Sequence, residues 1–415
     1  MASPHSSLLE EGDVGSPAHC IDGASLSTHH EGNARERLDF VTDHMPLVAA
    51  IGDRFARDRP FDSLTLAVRI HVEAKTAVLI RALRQGGATV VAMGNQGTTD
   101  DEIAEVLRED GIEVIGARSD TKENIADSIV DLAGRRPQIV LDNGAELIDR
   151  LVAEGQAPLG ATEETTSGAF QLRRRLAGSV TFPVIVINDS PLKAIVENKH
   201  GVGQSVVQVI QQTTNVLMNG TRFVVYGYGW CGRGIAHYAR ANGANVSIVE
   251  PSEIKALEAA IDGFAVVPAH EASEIGDIFV TATGEQSVIT VADMRRMRQG
   301  AIVANAGHFD TEIDVVKLRE AATAEPRGFS ITRYRFDNDH SIDVLAEGQM
   351  VNLAAEGSRG NAIEIMDLGF TLQALSLELL ATDASSLDPG DQPVPDYINR
   401  RVAADMVNQL MRRHG

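Results

Sequence analysis

Residues 222–250, RFVVYGYGWCGRGIAHYARANGANVSIVE, decide the fold. The apolar run FVVY has strand character. Gly227, Gly229 and Gly232 follow it as G-x-G-x-x-G, the stretch IAHYARANGA continues as a helix, and NVSIVE forms a second strand ending in Glu250. The first glycine permits the tight turn, the second lets backbone approach a pyrophosphate, and the third lets the helix pack closely on the strand. Free N–H groups at the helix start face the anion. Glu250, 18 residues beyond Gly232, can accept hydrogen bonds from the adenosine ribose diol and would repel a 2′-phosphate, so the cofactor expected is NAD, not NADP. Trp230 and Cys231 lie inside this cofactor-binding loop. Cys231 reads as a small packing residue before it reads as a reactive thiol.

The same alternation extends to both sides of this unit. Downstream, FAVVP (264–268), DIFVTATG (277–284) and AIVANAGHFD (301–310) are apolar runs ending in polar or Gly-rich residues. Upstream, LTLAVRIHV (64–72), ATVVAMG (88–94), IEVIGA (112–117), PQIVLDNG (137–144) and VTFPVIVIND (180–189) alternate with helical stretches such as AKTAVLIRALRQ (74–85). Short β-rich runs between helices of 10–15 residues indicate βαβ units. The fold expected is α/β, with two doubly wound, Rossmann-like domains of parallel sheet and a cleft between them. Residues 1–35 are rich in Ser, Gly, His and acids, and are expected to form a disordered tail. The expected boundaries are 36–203 with 354–385 for a substrate domain and 204–353 for the NAD domain. Residues 386–415 are expected to be a linker and a short C-terminal helix.

Composition narrows the function. Lys and Arg number 37 against 58 Asp and Glu, a formal charge of −21 that repels a phosphate backbone, so nucleic acid is not an expected partner. No run approaches 18 consecutive apolar residues, and the N-terminus lacks the basic start and apolar core of a secretory signal, so neither a membrane partner nor export is expected. Cys20 and Cys231 are the only cysteines, too few for a disulfide scaffold or zinc cluster. A cytoplasmic multidomain enzyme acting on a small molecule, with no metal site, is the expectation.

Seven ordered blocks carry a family resemblance: HVEAKTAVLIRAL from His71, GATEETTSG (160–168), INDSPLKAIVENKHG (187–201), GYGWCGRG (227–234), FVTATG (279–284), ANAGHFDTEID (304–314) and LAEGQMVNL (345–353). On these the chain resembles S-adenosylhomocysteine hydrolase from about Leu38 to its last helix. The resemblance implies a tightly held NAD that oxidises a nucleoside 3′-hydroxyl. The 4′ proton, now acidic, is removed, the 5′ substituent leaves, and the hydride is returned. It also implies a homo-oligomer, dimer or tetramer. By motif it places Lys193 and Glu197 beside the 3′-hydroxyl, with Glu197 where the family has Asp. His71 and His308 match catalytic-site histidines, and Glu164 a carboxylate that binds the substrate. Thr165, Thr166, Ser167, Asn198, Thr283, Asn305 and Asn352 match positions around the nicotinamide half of the cofactor, with Asn198 also at the substrate. Without those blocks, Lys193 and Glu197 would read as an i, i+4 surface pair worth a few tenths of a kcal/mol.

The chain departs from the family pattern in four places. Asn143, in Asp142-Asn143-Gly144-Ala145-Glu146, stands where a catalytic Asp is expected, and an amide cannot exchange a proton. Loss of an acid/base group costs about 10²–10⁴ in the step it serves. Glu73 and Lys75 replace the Thr and Glu or Gln that usually meet the adenine. Residues 356–361, EGSRGN, replace a G-H-P segment that the resemblance implies closes over base and cofactor, and the family's basic tail is expected to be missing. These changes favour a diverged nucleoside lyase or dehydratase of antibiotic-type metabolism. Genuine hydrolysis of S-adenosylhomocysteine is the alternative, and a catalytically silent NAD-binding regulatory homologue a second one.

Overall fold

Fifteen strands form two sheets in a computed structural model that describes residues 33–95, 97–307 and 310–414. In chain order the strands are β1 Thr65–Arg69, β2 Thr89–Met93, β3 Glu113–Ile115, β4 Ile139–Asp142, β5 Gly160–Glu163 and β6 Pro183–Val186, then β7 Arg222–Tyr226, β8 Asn245–Val249, β9 Ala265–Val266, β10 Ile278–Thr281 and β11 Ala301–Asn305. The last four are β12 Thr323–Gly328, β13 Ile331–Arg335, β14 Ser341–Leu345 and β15 Gly390–Pro393. The first sheet has the order β15-β6-β5-β4-β1-β2-β3 and every pairing is parallel. The second has the order β12-β13-β14-β11-β10-β7-β8-β9. Numbered within each sheet, the first contains the doubly wound order 3-2-1-4-5-6 and the second 3-2-1-4-5 with its last strand, β14, in the sixth place, so each has a switch point, between β1 and β4 and between β7 and β10.

The structure adds elements that the sequence patterns do not announce. The second sheet is mixed, because β12 and β13 extend it as an antiparallel hairpin beside β14. β12 is mostly exposed and β13 mostly half-buried, so they lack the continuous apolar run of a strand buried on both faces. The expected linker contains β15, which pairs with β6 along Gly390–Pro393. A proline is tolerated there because β15 is an edge strand. The helix after it, Asp396–His414, runs 19 residues and buries Ile398, Val402 and Met406, so it is a core element longer than the short helix expected. Of the expected tail, residues 1–32 lie outside the described residues, while Ala34 already opens the helix Ala34–Asp43.

The helix Ile363–Asp383 is long and apolar enough to cross a membrane, yet most of it is buried against the first sheet's core through Leu368, Phe370, Leu372 and Leu377. Its Asp367 accepts the backbone N–H groups of Leu47 (3.1 Å) and Val48 (2.8 Å), which satisfies donors at the start of the helix Pro46–Asp58, where no side chain of its own caps the end.

Candidate active site

The carboxyl ends of β5 and β6 deliver the central cluster. Glu164 follows β5 directly. After β6 the chain makes a 3₁₀ turn, Ile187–Asp189, and enters a π-helix, Lys193–Val202, that carries Lys193, Glu197 and Asn198. Wide π turns are rare and concentrate at functional sites. Lys193 Nζ donates to Glu164 Oε1 at 2.8 Å and to Glu197 Oε1 at 2.5 Å, with all three side chains buried. Gln373 of the long helix donates to Glu164 Oε2 at 3.0 Å.

One ammonium between two carboxylates leaves a buried net charge of about −1, and the three groups divide it unequally. Burial disfavours the lysine's charge, but Glu164 and Glu197 outweigh it and hold Lys193 above its usual range. Burial works against ionised Glu164 as well, yet Lys193, Gln373 and the field of His71 bring it below the usual carboxylate range. Glu197 moves the other way, raised by burial and by the charge of Glu164 against the pull of Lys193. Its second oxygen, Oε2, is buried without a hydrogen-bond partner among the described residues. Glu164 is therefore the fixed anion, and Glu197 is the carboxylate readiest to take a proton.

His71 lies just past β1, not within a strand. Its Nδ1 is 2.7 Å from Thr98 Oγ1, which itself donates to the carbonyl of Asn95 at 3.1 Å. With the Thr98 proton on the Asn95 carbonyl, the hydrogen shared between the two side chains belongs to Nδ1 of the imidazole. Asn95 Nδ2 also donates to Asn143 Oδ1 at 3.0 Å, so the residue in place of an expected acid belongs to the scaffold behind His71. His308 lies outside the described residues.

The second sheet supplies a cradle that fits a dinucleotide. Gly227 has φ +96°, and a Cβ on Gly232 would lie 2.0 Å from the Gly227 carbonyl oxygen, so neither position admits a side chain. Among the described residues, none beyond its chain neighbours has an atom within 4 Å of where a Gly229 Cβ would sit, and the helix Trp230–Ala241 starts there without a side-chain cap. Its first N–H groups are thus available to an anion. Glu250 accepts the backbone N–H of Tyr228 at 2.7 Å and of Ser252 at 2.9 Å, shaping the loop while each oxygen keeps a second lone pair. Asn352, 2% exposed, donates to Ser205 Oγ and leaves its Oδ1 buried without a partner among the described residues. That orphaned acceptor suits a ligand amide.

Other expected cofactor residues are engaged within the protein. Asn305 clamps the loop after β11, accepting from Thr281 Oγ1 and Gly307 N and donating to the carbonyls of Gly307 and Gly348. Thr165 caps the helix Thr166–Arg174 through Gly168 N, while its hydroxyl also meets Glu163 and Ser167. Thr166 donates to Asn188 Oδ1. Thr283 binds Glu312 through both its N–H and its hydroxyl. Asn198 is half-buried on the π-helix, one residue past Glu197. Trp230 is 42% exposed at the loop's rim, under the Arg233 guanidinium.

The two halves meet around Cys231. Burial pushes its thiol up to about 12, with the charges of Lys193, Glu197 and Glu312 also acting on it, so it stays protonated and is not a thiolate nucleophile. Close backbone crossing sets this proximity, because a Cβ on Gly234 would lie 1.8 Å from the carbonyl oxygen of Lys199 in the π-helix. Glu312, Gln373 and Asn95 are site residues that motif reading missed. A glutamine inside the otherwise apolar run GFTLQALSLELL was the available signal for Gln373.

Comparison with known proteins agrees with this geometry. Residues 24–158 match the family S-adenosyl-L-homocysteine hydrolase, and residues 198–358 match the S-adenosyl-L-homocysteine hydrolase NAD binding domain. Among characterised relatives, an S-inosyl-L-homocysteine hydrolase of Methanopyrus kandleri is 44% identical over 89% of this chain and 88% of its own length. An adenosylhomocysteinase of Archaeoglobus fulgidus is 40% identical over 88% and 92%, respectively. An S-inosyl-L-homocysteine hydrolase of Methanococcus maripaludis is 39% identical over 88% and 89%.

Proposed function

The chain belongs to the S-adenosyl-L-homocysteine hydrolase family, and from that premise we propose that it hydrolyses the thioether between a nucleoside and homocysteine, using NAD as a resident redox group. The observation that carries the proposal is Lys193, buried between Glu164 and Glu197 and next to the glycine-rich loop. NAD, when bound, accepts a hydride from the nucleoside 3′ carbon and gives it back at the end of the cycle.

The chain's own groups manage the protons. Lys193 rests as an ammonium, so it can take a proton from the 3′-hydroxyl only after passing one on. The 2.5 Å bond to Glu197 Oε1 is the path, and the raised proton affinity of Glu197 narrows the gap between the charged pair and its neutral tautomer. Glu164 stays ionised and can accept a sugar hydroxyl. His71, with Nδ1 committed to Thr98, presents Nε2 for the proton that moves at the 5′ side.

Asn143 bears on the leaving group. A departing thiolate is the base of an acid with a pKa of about 8.5, whereas hydroxide is the base of water at about 15.7. Expelling water therefore needs a proton donor far more than expelling homocysteine does. An amide at 143 hinders dehydration and is tolerable for thioether cleavage. That reverses the preference for a dehydratase drawn from sequence. The lyase reading keeps one specific support, that the same amide is a poor partner for adding water back to the alkene.

Both are tested by incubating the NAD-loaded protein with S-inosyl- and S-adenosyl-L-homocysteine and measuring thiol and nucleoside. Stoichiometric homocysteine and intact nucleoside support hydrolysis. An accumulating 4′,5′-unsaturated nucleoside supports the lyase, and absence of both products leaves the silent homologue.

A further inference from the structure

One face of the helix Ile363–Asp383 carries a polar seam through an apolar core. Gly369, Gln373, Ser376 and Leu380 follow one another at helical spacing, so they lie on one side of the helix. Its upper end meets the central cluster: a Cβ on Gly369 would lie 2.7 Å from Glu197 Oε2, and Gln373 Nε2 donates to Glu164 Oε2 at 3.0 Å. At its lower end, a Cβ on Gly160 would run into Leu380 Cδ2. The face therefore runs antiparallel to β5, from Gln373 at Glu164 to Leu380 at Gly160. Ser376 and Thr162 occupy the stretch between.

The sheet register agrees. Alternate residues of a strand share a face, which groups Gly160, Thr162 and Glu164. Thr162 pairs with Leu141 of β4 and Ile185 of β6, and both belong to the core that holds Leu372, Leu375, Leu377 and Leu380 of the helix. Two hydroxyls thus enter a leucine interface, and Thr162, Ser376 and Gln373 are all fully buried. Among the described residues, Thr162 Oγ1, Ser376 Oγ and Gln373 Oε1 have no hydrogen-bond partner. Thr371 and Thr382 of the same helix return their hydroxyls to the carbonyls of Asp367 and Glu378, four residues back, whereas Ser376 does not. Buried polar atoms are rarely left unpaired, and three along one seam call for a partner they share.

We infer that one buried water binds between β5 and the long helix, bridging Thr162 Oγ1, Ser376 Oγ and Gln373 Oε1, and so fixes the amide that supports Glu164. The hydrogens balance: the water donates to Gln373 Oε1 and to one hydroxyl oxygen, and accepts from the other hydroxyl. Three bonds are the usual complement of a buried water. The two ends of a carboxamide have the same shape, so whatever meets Oε1 decides which end meets Glu164. A donor at Oε1 keeps Nε2 on the carboxylate. There, against the effect of burial, it joins Lys193 in holding Glu164 below the usual carboxylate range. Thr162 and Ser376 are positioning residues, acting on Glu164 through the water and Gln373.

The inference rests on the proposal that Glu164 accepts a sugar hydroxyl, and two measurements separate them. A crystal structure of the NAD-loaded protein is expected to show a water within hydrogen-bond reach of all three atoms, and a dry interface overturns the inference. Adenosine and inosine are then titrated by calorimetry into the NAD-loaded protein and its variants. Thr162→Val with Ser376→Ala removes both hydroxyls at little change of shape, so the fold is expected to hold. Nucleoside affinity should fall about tenfold, and its acid limb should move to higher pH because Glu164 loses a donor to its ionised form. NAD affinity should stay unchanged, and Thr162→Ser, which keeps a hydroxyl, should bind as wild type. Should the double variant fail to fold, Ser376→Ala alone carries the comparison. Wild-type nucleoside affinity and acid limb in the folded variant, or NAD affinity falling in step, overturns the positioning role. If the wild type binds neither nucleoside, the substrate proposal falls, while the crystal structure still decides the water site.

Discussion

The two switch points of this molecule share a topology and differ in what fills them. Between β7 and β10 the chain presents backbone: Gly227, an uncapped helix start, and open space beside Gly229. Between β1 and β4 it presents charge. Arg69, 4% exposed, donates to Asp142 and to the carbonyl of Asn143 and pairs with Glu146, while Asp142 also accepts Asn143 N and Ile148 N. Beside it, Glu163 receives Gly144 N, Ala145 N and Thr165 N. The first crevice is occupied by these paired side chains, where the second leaves backbone N–H groups open. The candidate site draws on several strand ends of this sheet, with His71 past β1, Glu164 past β5 and Lys193 and Glu197 past β6. A doubly wound order therefore locates a crevice but does not say what binds in it, and side chains at the strand ends decide that.

Variants in either region can break this contrast. The largest effect is expected at Lys193. Lys193→Ala should lower turnover by about 10²–10⁴ and abolish reduction of the bound cofactor by nucleoside, while cofactor content after purification stays near wild type. Undiminished NADH formation in that variant would remove Lys193 from the proton path. Next is Arg69→Met, which strands Asp142 without its cation and should cost about 3–5 kcal/mol in denaturant unfolding. A loss under 1 kcal/mol would mean that the side chains in the first crevice are not held together by this ion pair.

Gly229→Ala probes the other crevice. Among the described residues its Cβ meets none beyond its chain neighbours, so the fold should hold, but the methyl group stands where a pyrophosphate must approach. A loss of about 1–3 kcal/mol in NAD binding is expected, read by equilibrium titration of the apoprotein, with the melting temperature of the apoprotein unchanged. Smallest of all should be Asn143→Asp. If a thiolate departs without a proton donor, kcat for thioether cleavage changes by less than about tenfold, and a gain beyond that range would show that a missing acid limits the reaction.

The alternation that gives both sheets was legible because their central strands are short apolar runs, as in TLAVR, IVLD and FVVY. What escaped was polar: the hairpin β12–β13, exposed along β12 and half-buried along β13, the edge strand GDQP of β15, and β5, whose residues GATE carry little apolar signal although all four are buried. The π-helix escaped too, since a 3.6-residue period cannot announce a wider turn. At the site, the family resemblance brought Lys193, Glu197 and Glu164 into one group, whereas the Arg69 network was hidden as a single cation inside the apolar run LTLAVRIHV. The hydrogen bond from Lys75 Nζ to the carbonyl of Arg359 spans 284 positions and belongs to the tertiary structure alone.

The most direct test of the account follows the cofactor and the product together during one turnover of S-inosyl-L-homocysteine on the NAD-loaded protein. The account predicts a transient rise and fall of NADH absorbance, one homocysteine released per nucleoside formed, and no net NAD consumed. Homocysteine released with no NADH transient, or NADH that forms and persists beside an unsaturated nucleoside, would contradict it.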